Sequence, residues 1–299
     1  MDDSYEGPFF TASVVENDIH VCVGTILTGL HLLTLCTCTT VWYVDLQVYL
    51  IKDPKVFKAI GGTDSLKSED RVERDIRYNF PHPYCGGNLS RVDLAVLQLW
   101  VPWPLTKKFI VAPMHLDMNM TYFDYLFETK HLESPPCRNV GWWTYLIVQA
   151  PIEMSPPVEK TGKLDTFNSK VVATQNCYPF RIGFKGGLLE LEKVREPFEK
   201  SKMCVMTQKP RWAFCGVDKG APLTCYMGVT LGWRLYGLGL GGSAHCVEYE
   251  SFDLFQGFTD SLSFLRLYMG IDQILKDHIS QSDNFKDSGD WRSDLIGEQ

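Results

Sequence analysis

Short runs of β-branched and aromatic residues, separated by turn residues, recur along most of the chain, which is the pattern of β-strands. These runs are residues 12–15, 20–27, 31–35, 41–51, 56–60, 74–79, 94–99 and 142–150. Apolar residues at helical spacing are sustained in one stretch, residues 261–276. We therefore predict an all-β domain that closes with a C-terminal helix at about 261–278.

Two further segments affect the extent of this domain. Residues 281–299 are rich in Ser, Asp, Gly and Lys and can bury little apolar surface, which predicts a disordered polar tail after a folded domain at 1–280. Residues 21–44 contain no charged side chain and are long enough to span a bilayer as a helix. Their many Thr, Cys and Gly residues favour buried strands joined by a turn, so we predict no membrane span.

Composition narrows the class of protein. The 36 acidic and 29 basic residues give a net charge of -7, which argues against nucleic acid or an anionic membrane as the main partner. Ten cysteines and two glycosylation sequons, at Asn88 and Asn119, are typical of a secreted protein with disulfides. Residues 1–6 are acidic and lack the features of a signal peptide, so we expect that the start is truncated.

Four motifs in one order resemble those of the chymotrypsin/trypsin family of serine proteases. CVGTILTGLHLLTLCTC at 22–38 is similar to the segment that ends in Leu-Thr-Ala-Ala-His-Cys, and DLAVL at 93–97 is similar to Asp-Ile-Ala-Leu-Leu. CRNVGW at 137–142 resembles Cys-X-X-X-Gly-Trp, and CGVDKGAPLTC at 215–225 resembles Cys-X-Gly-Asp-Ser-Gly-Gly-Pro-Leu-Val-Cys. The resemblance implies two packed six-stranded antiparallel β-barrels, the first at about 9–125 and the second at about 126–262.

The same resemblance implies that the catalytic machinery is degenerate. Thr37 stands at the place of the catalytic histidine and Lys219 at that of the nucleophilic serine, whereas Asp93 matches the triad aspartate. A threonine hydroxyl cannot act as a base near neutral pH, and a solvated lysine ammonium has no lone pair with which to attack a carbonyl. The matched oxyanion-hole position is Val217, and the matched specificity-pocket positions are Ala213, Leu240, Gly241 and Gly242.

Three expectations concern the charged groups around this site. We expect Asp93 to be a structural acid that caps backbone amides or the Thr37 hydroxyl. In active relatives a new amino terminus pairs with the aspartate matched by Asp218, and we hypothesise that Lys219 neutralises this carboxylate here. The seven histidines and the basic residues between 185 and 202 are interpreted as ordinary packing or solvated surface groups.

The resemblance also implies four disulfides: Cys22–Cys38, Cys137–Cys225, Cys177–Cys204 and Cys215–Cys246. Cys36 and Cys85 are left over, and either a fifth bridge between them or two free thiols fits the sequence. The spacing of His, Cys and Asp residues predicts no metal site, and no cofactor is predicted.

Two functions fit this sequence. The first is a secreted, non-catalytic serine protease homologue that binds or regulates an extracellular protein, such as another protease or its substrate. The second is a residual or altered serine-type endopeptidase, for instance with Cys36 as the nucleophile.

Overall fold

Fourteen strands make up most of the described structure. The computed structural model describes residues 10–43, 45, 48–85, 92–106, 108–110, 112, 136–145, 159–172, 202–208, 218–226, 233–241, 250–258 and 264–265. The first six-stranded sheet contains β1 (Thr11–Glu16), β2 (Ile19–Ile26), β3 (His31–Thr34), β6 (Phe57–Gly61), β7 (Val72–Pro81) and β8 (Ala95–Leu99). The second contains β9 (Cys137–Tyr145), β10 (Glu159–Val172), β11 (Lys202–Gln208), β12 (Pro222–Tyr226), β13 (Trp233–Gly239) and β14 (Glu250–Gly257).

Each of these sheets closes into a barrel. The strand order is β1-β2-β3-β8-β7-β6 in the first barrel and β10-β11-β14-β13-β12-β9 in the second. Neighbouring strands run antiparallel, for example β1 with β2 and β11 with β14. Closure pairs the backbone groups that would otherwise form exposed sheet edges. The predicted all-β architecture of two six-stranded antiparallel barrels is confirmed.

The segment between β3 and β6 carries several elements that stand outside the barrels. These are α1 (Cys36–Thr39), the hairpin of β4 (Thr40–Tyr43) and β5 (Val48–Ile51), and a 3-10 turn at Pro54–Val56. Residues 41–51 were predicted as one run, and the chain instead turns back so that Val41 pairs with Leu50. Asp45 lies in the turn between the two strands. Aspartate is common in turns because its side chain can hydrogen-bond to the nearby backbone.

A two-residue turn sets the register of the first hairpin. Asn17 and Asp18 join β1 to β2 with φ angles of 50° and 65°, and Glu16 pairs with Ile19 on either side of them. Positive φ at both central residues is the type I′ geometry, which matches the twist of the flanking strands. Asn and Asp tolerate this left-handed backbone better than most residues do.

The two barrels share one buried apolar cluster. Its members come from both barrels, including Leu33 and Leu97 of the first and Leu223 and Phe255 of the second. Of the predicted C-terminal helix, the structure describes Phe264 and Leu265, which are helical and buried against this cluster. The remaining helix positions and the predicted tail at 281–299 lie outside the described residues.

Candidate functional site

Asp93 is buried where the chain enters β8, and both of its carboxylate oxygens accept hydrogen bonds from α1. The Thr37 amide donates to Oδ1 at 2.9 Å, and the Thr37 hydroxyl donates to Oδ2 at 3.0 Å. These two bonds satisfy groups at the start of a helical turn, where backbone amides lack partners within the helix. The prediction that Asp93 caps backbone amides or the Thr37 hydroxyl is confirmed, and the structure shows both kinds of bond.

The position of Thr37 depends on a turn that is fixed by two disulfides. Cys36 is bonded to Cys85 and Cys38 to Cys22, so the residues on either side of Thr37 are covalently held. The hydroxyl of Thr40 also donates to the Cys36 carbonyl at 2.7 Å. This one-turn helix was not predicted, because its Thr and Cys residues favour strands.

These bonds also decide the state of the two unassigned cysteines. The Cys36–Cys85 bridge is present, and the Cys36 side chain is completely buried. A sulfur in a disulfide cannot act as a nucleophilic thiolate. The interpretation of Cys36 as the nucleophile of an altered peptidase is therefore wrong.

Groups from the second barrel meet the backbone of Asp93 from the other side. The side-chain oxygen of Gln256, on β14, accepts from the Asp93 amide at 2.9 Å and also from the ammonium of Lys202 on β11. The amide nitrogen of Gln256 donates to the Gly257 carbonyl at 2.9 Å. Gln256 and Lys202 are both buried, so this polar chain links the two barrels within the interior.

Burial changes the acid–base properties of two side chains near Asp93. Burial lowers the pKa of the Lys202 ammonium to about 8, although the nearby Asp93 carboxylate acts in the opposite direction. The pKa of the Tyr49 hydroxyl is raised, first by burial and then by the charge of Asp93. The prediction that Lys202 belongs to a solvated basic loop is wrong, because it lies on a strand and faces the interior between the barrels.

Lys219 lies in a tight turn that contacts the first barrel. Its carbonyl accepts from the Val23 amide at 2.7 Å, and the Gly220 amide donates to the Gly239 carbonyl at 2.7 Å. Gly220 has a φ of 82°, and a Cβ at this position would lie 2.1 Å from the Val23 carbonyl oxygen. Glycine is therefore required for the close approach of this turn to β2.

The Lys219 side chain runs along a neighbouring glycine. A Cβ added at Gly241 would lie 2.8 Å from the Lys219 Cγ, so a larger residue there would displace the lysine. The Lys219 side chain is exposed to solvent. Two predicted site residues, Lys219 and Gly241, are thus brought together, and Leu240 packs beside them against the shared core.

Asp218, next to Lys219, faces a histidine of the first barrel. The Nε2 atom of His20 lies 3.9 Å from the Asp218 Oδ2 atom, and a 2.7 Å hydrogen bond joins the other ring nitrogen of His20 to the Ser13 hydroxyl. The His20 ring also lies 5.9 Å from that of Trp142. A basic side chain beside Asp218 is thus that of His20, and the hypothesis that Lys219 neutralises this carboxylate stays a prediction.

Ser13, His20 and Asp218 together contain the side chains of a hydrolytic triad, but their placement is structural. The Ser13 hydroxyl is completely buried within the barrel wall, where no substrate carbonyl can reach it. General-base activation of a serine requires that its oxygen contact the substrate. The arrangement therefore positions Asp218 and does not form a hydrolytic site.

The other two described histidines are also engaged away from Asp93. His31 is buried at the start of β3, and its Nδ1 atom lies 2.8 Å from the Thr28 hydroxyl. The His82 ring packs against Phe264 at 4.7 Å. Among the described residues, the side-chain hydrogen bonds to the Asp93 carboxylate come from Thr37, and no imidazole contacts it.

Two predicted disulfides, Cys22–Cys38 and Cys137–Cys225, are present, and so is the candidate bridge Cys36–Cys85. Cys204 is buried in β11 and disulfide-bonded.

The predicted residues that lie outside the described ranges are Asn88, Asn119, Cys177, Ala213, Cys215, Val217, Gly242 and Cys246.

Within the described ranges, no group of three or more His, Cys, Asp or Glu side chains is arranged to hold a metal ion. In the same part of the chain, no helix combines the length and apolarity needed to cross a bilayer.

A solved protein structure has the same architecture as this chain. The chain superposes on neuropsin, a serine protease expressed in the limbic system of mouse brain, with a TM-score of 0.57. The match covers 87% of this chain and 94% of neuropsin at 18% sequence identity. The chain has the trypsin-like fold. At 18% identity, the similarity to neuropsin shows the fold and nothing further. No family model and no curated protein matches the sequence.

Sequence reasoning missed the two groups that approach the Asp93 backbone across the barrel interface, Lys202 and Gln256. One signal was present for Lys202, since it lies two residues before Cys204 and alternation places both on one strand face. A charged residue that shares a face with a buried cysteine is a candidate for a buried ion. No comparable signal marked Gln256, which lies 163 residues from Asp93 in the chain.

Proposed function

We propose that this protein is a secreted, non-catalytic binding protein with a trypsin-like fold. The observation that carries this proposal is the double hydrogen bond from Thr37 to Asp93, which occupies the carboxylate that would orient a catalytic imidazole. A carboxylate is too weak a base to remove the proton of an aliphatic hydroxyl near neutral pH. Thr37 and Asp93 by themselves therefore supply no nucleophile.

The turn at Lys219 supports the same conclusion. The motif resemblance places Lys219 where the nucleophilic serine would stand, and its side chain is a solvent-exposed ammonium against Gly241. An ammonium offers no lone pair, so acyl transfer through this position cannot begin. Loss of both the base and the nucleophile leaves binding as the function that the fold can retain.

The disulfides support secretion. Cys22–Cys38, Cys36–Cys85 and Cys137–Cys225 are all bonded, and bridges of this density persist in oxidising compartments. The trypsin-like fold with such bridges is consistent with an extracellular protein. We propose that its partner is an extracellular protein, such as a protease or the substrate of one.

Activity-based labelling tests the non-catalytic assignment. The purified protein is treated with a fluorophosphonate probe and with a thiol-directed probe, and is then incubated with a broad peptide library. Trypsin, treated identically, is the positive control. We expect no labelling and no cleavage, and turnover within a hundredfold of trypsin on any library member would refute the proposal.

A reconstruction experiment tests how complete the loss is. We expect the double variant Thr37→His with Lys219→Ser to remain without efficient proteolysis, because the motif match also places altered residues at Val217 and Leu240. The single variant Lys219→Ser is the matched control. Turnover of the double variant at the level of an ordinary trypsin-like protease would show that the loss is confined to two positions.

A further inference from the structure

An exposed cluster of aromatic side chains surrounds one arginine on the outer face of the first barrel. The cluster, called the arginine–aromatic patch below, consists of Arg77, Tyr78, Trp100 and Val101. Tyr78 is 44% exposed, Trp100 59% and Val101 56%. Large apolar side chains that lie together on a surface mark interaction sites more often than scattered ones do.

A β-bulge creates the patch. Ile76 pairs with Leu99 and Tyr78 pairs with Gln98, so Arg77 is an extra residue on β7. Strict alternation from the buried Ile76 would turn Tyr78 into the core. The bulge turns it outward beside Arg77, and bulges are recurrent devices for redirecting a side chain at a functional surface.

The Arg77 guanidinium is packed between aromatic rings. Its central carbon lies 5.0 Å from the centre of the Tyr78 ring and 4.8 Å from that of Trp100. These two cation–π contacts hold the planar group in place. Within the described residues no carboxylate pairs with Arg77, so its N–H donors remain available to a partner.

The backbone beneath Trp100 is also fixed. The Trp100 amide donates to the Asp75 carbonyl at 3.1 Å, and the Trp103 amide donates to the Gly29 carbonyl at 2.7 Å. Arg74 donates to the Pro102 carbonyl at 3.3 Å and lies over the Trp103 ring. A surface that is rigid before binding loses less conformational entropy when a partner binds.

The charge around the patch selects the chemistry of that partner. Strand β7 carries Glu73, Arg74, Asp75 and Arg77, and of these Arg77 is the cation that lies over the exposed rings of Tyr78 and Trp100. Glu73 is already paired with Lys58 and Arg71. Arginine flanked by aromatic rings suits a carboxylate that is accompanied by apolar or aromatic groups.

We propose that the arginine–aromatic patch is a docking site for an acidic peptide segment that carries aromatic or aliphatic side chains. A carboxylate of the segment pairs with the guanidinium of Arg77, and its apolar side chains cover Trp100, Tyr78 and Val101. The patch shares no residue with the candidate functional site, so this inference stands whether or not the protein is catalytic.

A random copolymer of glutamate and tyrosine, labelled with a fluorophore, is the probe for this site. Binding to the intact protein is measured by fluorescence anisotropy at two salt concentrations. We expect binding in roughly the micromolar range that weakens as salt rises, because the pairing is electrostatic and the surface is small. Absence of saturable binding would overturn the proposal.

Four variants locate the binding. Arg77→Gln and Trp100→Ala are each expected to weaken binding about tenfold or more, whereas Arg77→Lys, which keeps the charge and loses the planar group, falls between parent and Arg77→Gln. Lys170→Gln removes the same charge from an exposed position on the second barrel and should leave binding unchanged. The three altered side chains are exposed, and circular dichroism checks that each of the four variants is folded.

The other outcomes oppose the proposal. Equal loss in Lys170→Gln and Arg77→Gln would show general charge attraction, and full retention in Trp100→Ala would remove the role of the aromatic rings. A sulfated polysaccharide that binds through Arg77 while the glutamate–tyrosine copolymer does not would assign the patch to another class of ligand and refute the acidic-peptide assignment.

Discussion

The buried Lys202 permits a quantitative prediction about stability and pH. Its pKa of about 8 in the folded protein lies below the ordinary 10.5, which means that folding disfavours the charged form. Each pH unit between the two pKa values is worth about 1.4 kcal/mol. At pH 7, where both states are mostly protonated, burial of this ammonium therefore costs about 3 kcal/mol of unfolding free energy.

Replacement by methionine removes this cost without leaving an unpaired acceptor. Methionine has a similar length, and the Gln256 oxygen keeps its bond from the Asp93 amide. We expect Lys202→Met to raise the free energy of unfolding by about 3 kcal/mol at pH 7.

The gain should shrink at high pH, and the sign of this change follows from linkage. Between pH 8 and 10.5 the unfolded chain binds more protons at Lys202 than the folded protein does, so the stability of the parent rises with pH in this window. Lys202→Met lacks the proton, and its advantage should fall to about 1 kcal/mol at pH 10.

Urea denaturation followed by tryptophan fluorescence at pH 7 and pH 10 measures both quantities. Lys170→Met, at an exposed position on the neighbouring strand β10, is the matched control and should change stability little at either pH. A Lys202→Met variant that is less stable than the parent at pH 7, or whose gain is the same at both pH values, would refute the reasoning.

Three further predictions concern the turns that build the site. Asp93→Asn should cost about 1–3 kcal/mol of unfolding free energy, because the amide and hydroxyl at the start of α1 lose charged acceptors. Gly220→Ala should cost more than about 2 kcal/mol, whereas Gly29→Ala, whose Cβ would lie 3.7 Å from its nearest neighbour, is the tolerated control. Joint replacement of Cys36 and Cys85 by alanine should cost about 4 kcal/mol, since their bridge spans 49 residues. Chemical denaturation under non-reducing conditions measures all three.

Each of these predictions has an outcome that would contradict it. An Asp93→Asn variant as stable as the parent would mean that water replaces the lost acceptors. Equal effects of alanine at Gly220 and Gly29 would show that the positive φ and close contact at Gly220 carry no cost. Unchanged stability after loss of the bridge would show that α1 is held by its other contacts.

Much of the fold follows from the sequence because strand alternation and motif order are local properties. The short β-rich runs predict the barrel strands, and the cysteine positions within the matched motifs predict Cys22–Cys38 and Cys137–Cys225. The motif resemblance puts Thr37 and Asp93 at one site, and from it the capping of backbone amides or of the Thr37 hydroxyl by Asp93 was predicted, as the structure shows. In each case the decisive residues lie inside a recognisable segment.

The tertiary structure alone decides which groups meet across the two barrels. Lys202 and Gln256 are brought to the Asp93 backbone by barrel closure and by the packing of one barrel on the other, neither of which is encoded in a local pattern. The one-residue bulge that turns Tyr78 outward is likewise a matter of register between two strands. Alternation along one strand predicts a buried or exposed face, whereas the partner on that face depends on strands that are distant in the chain.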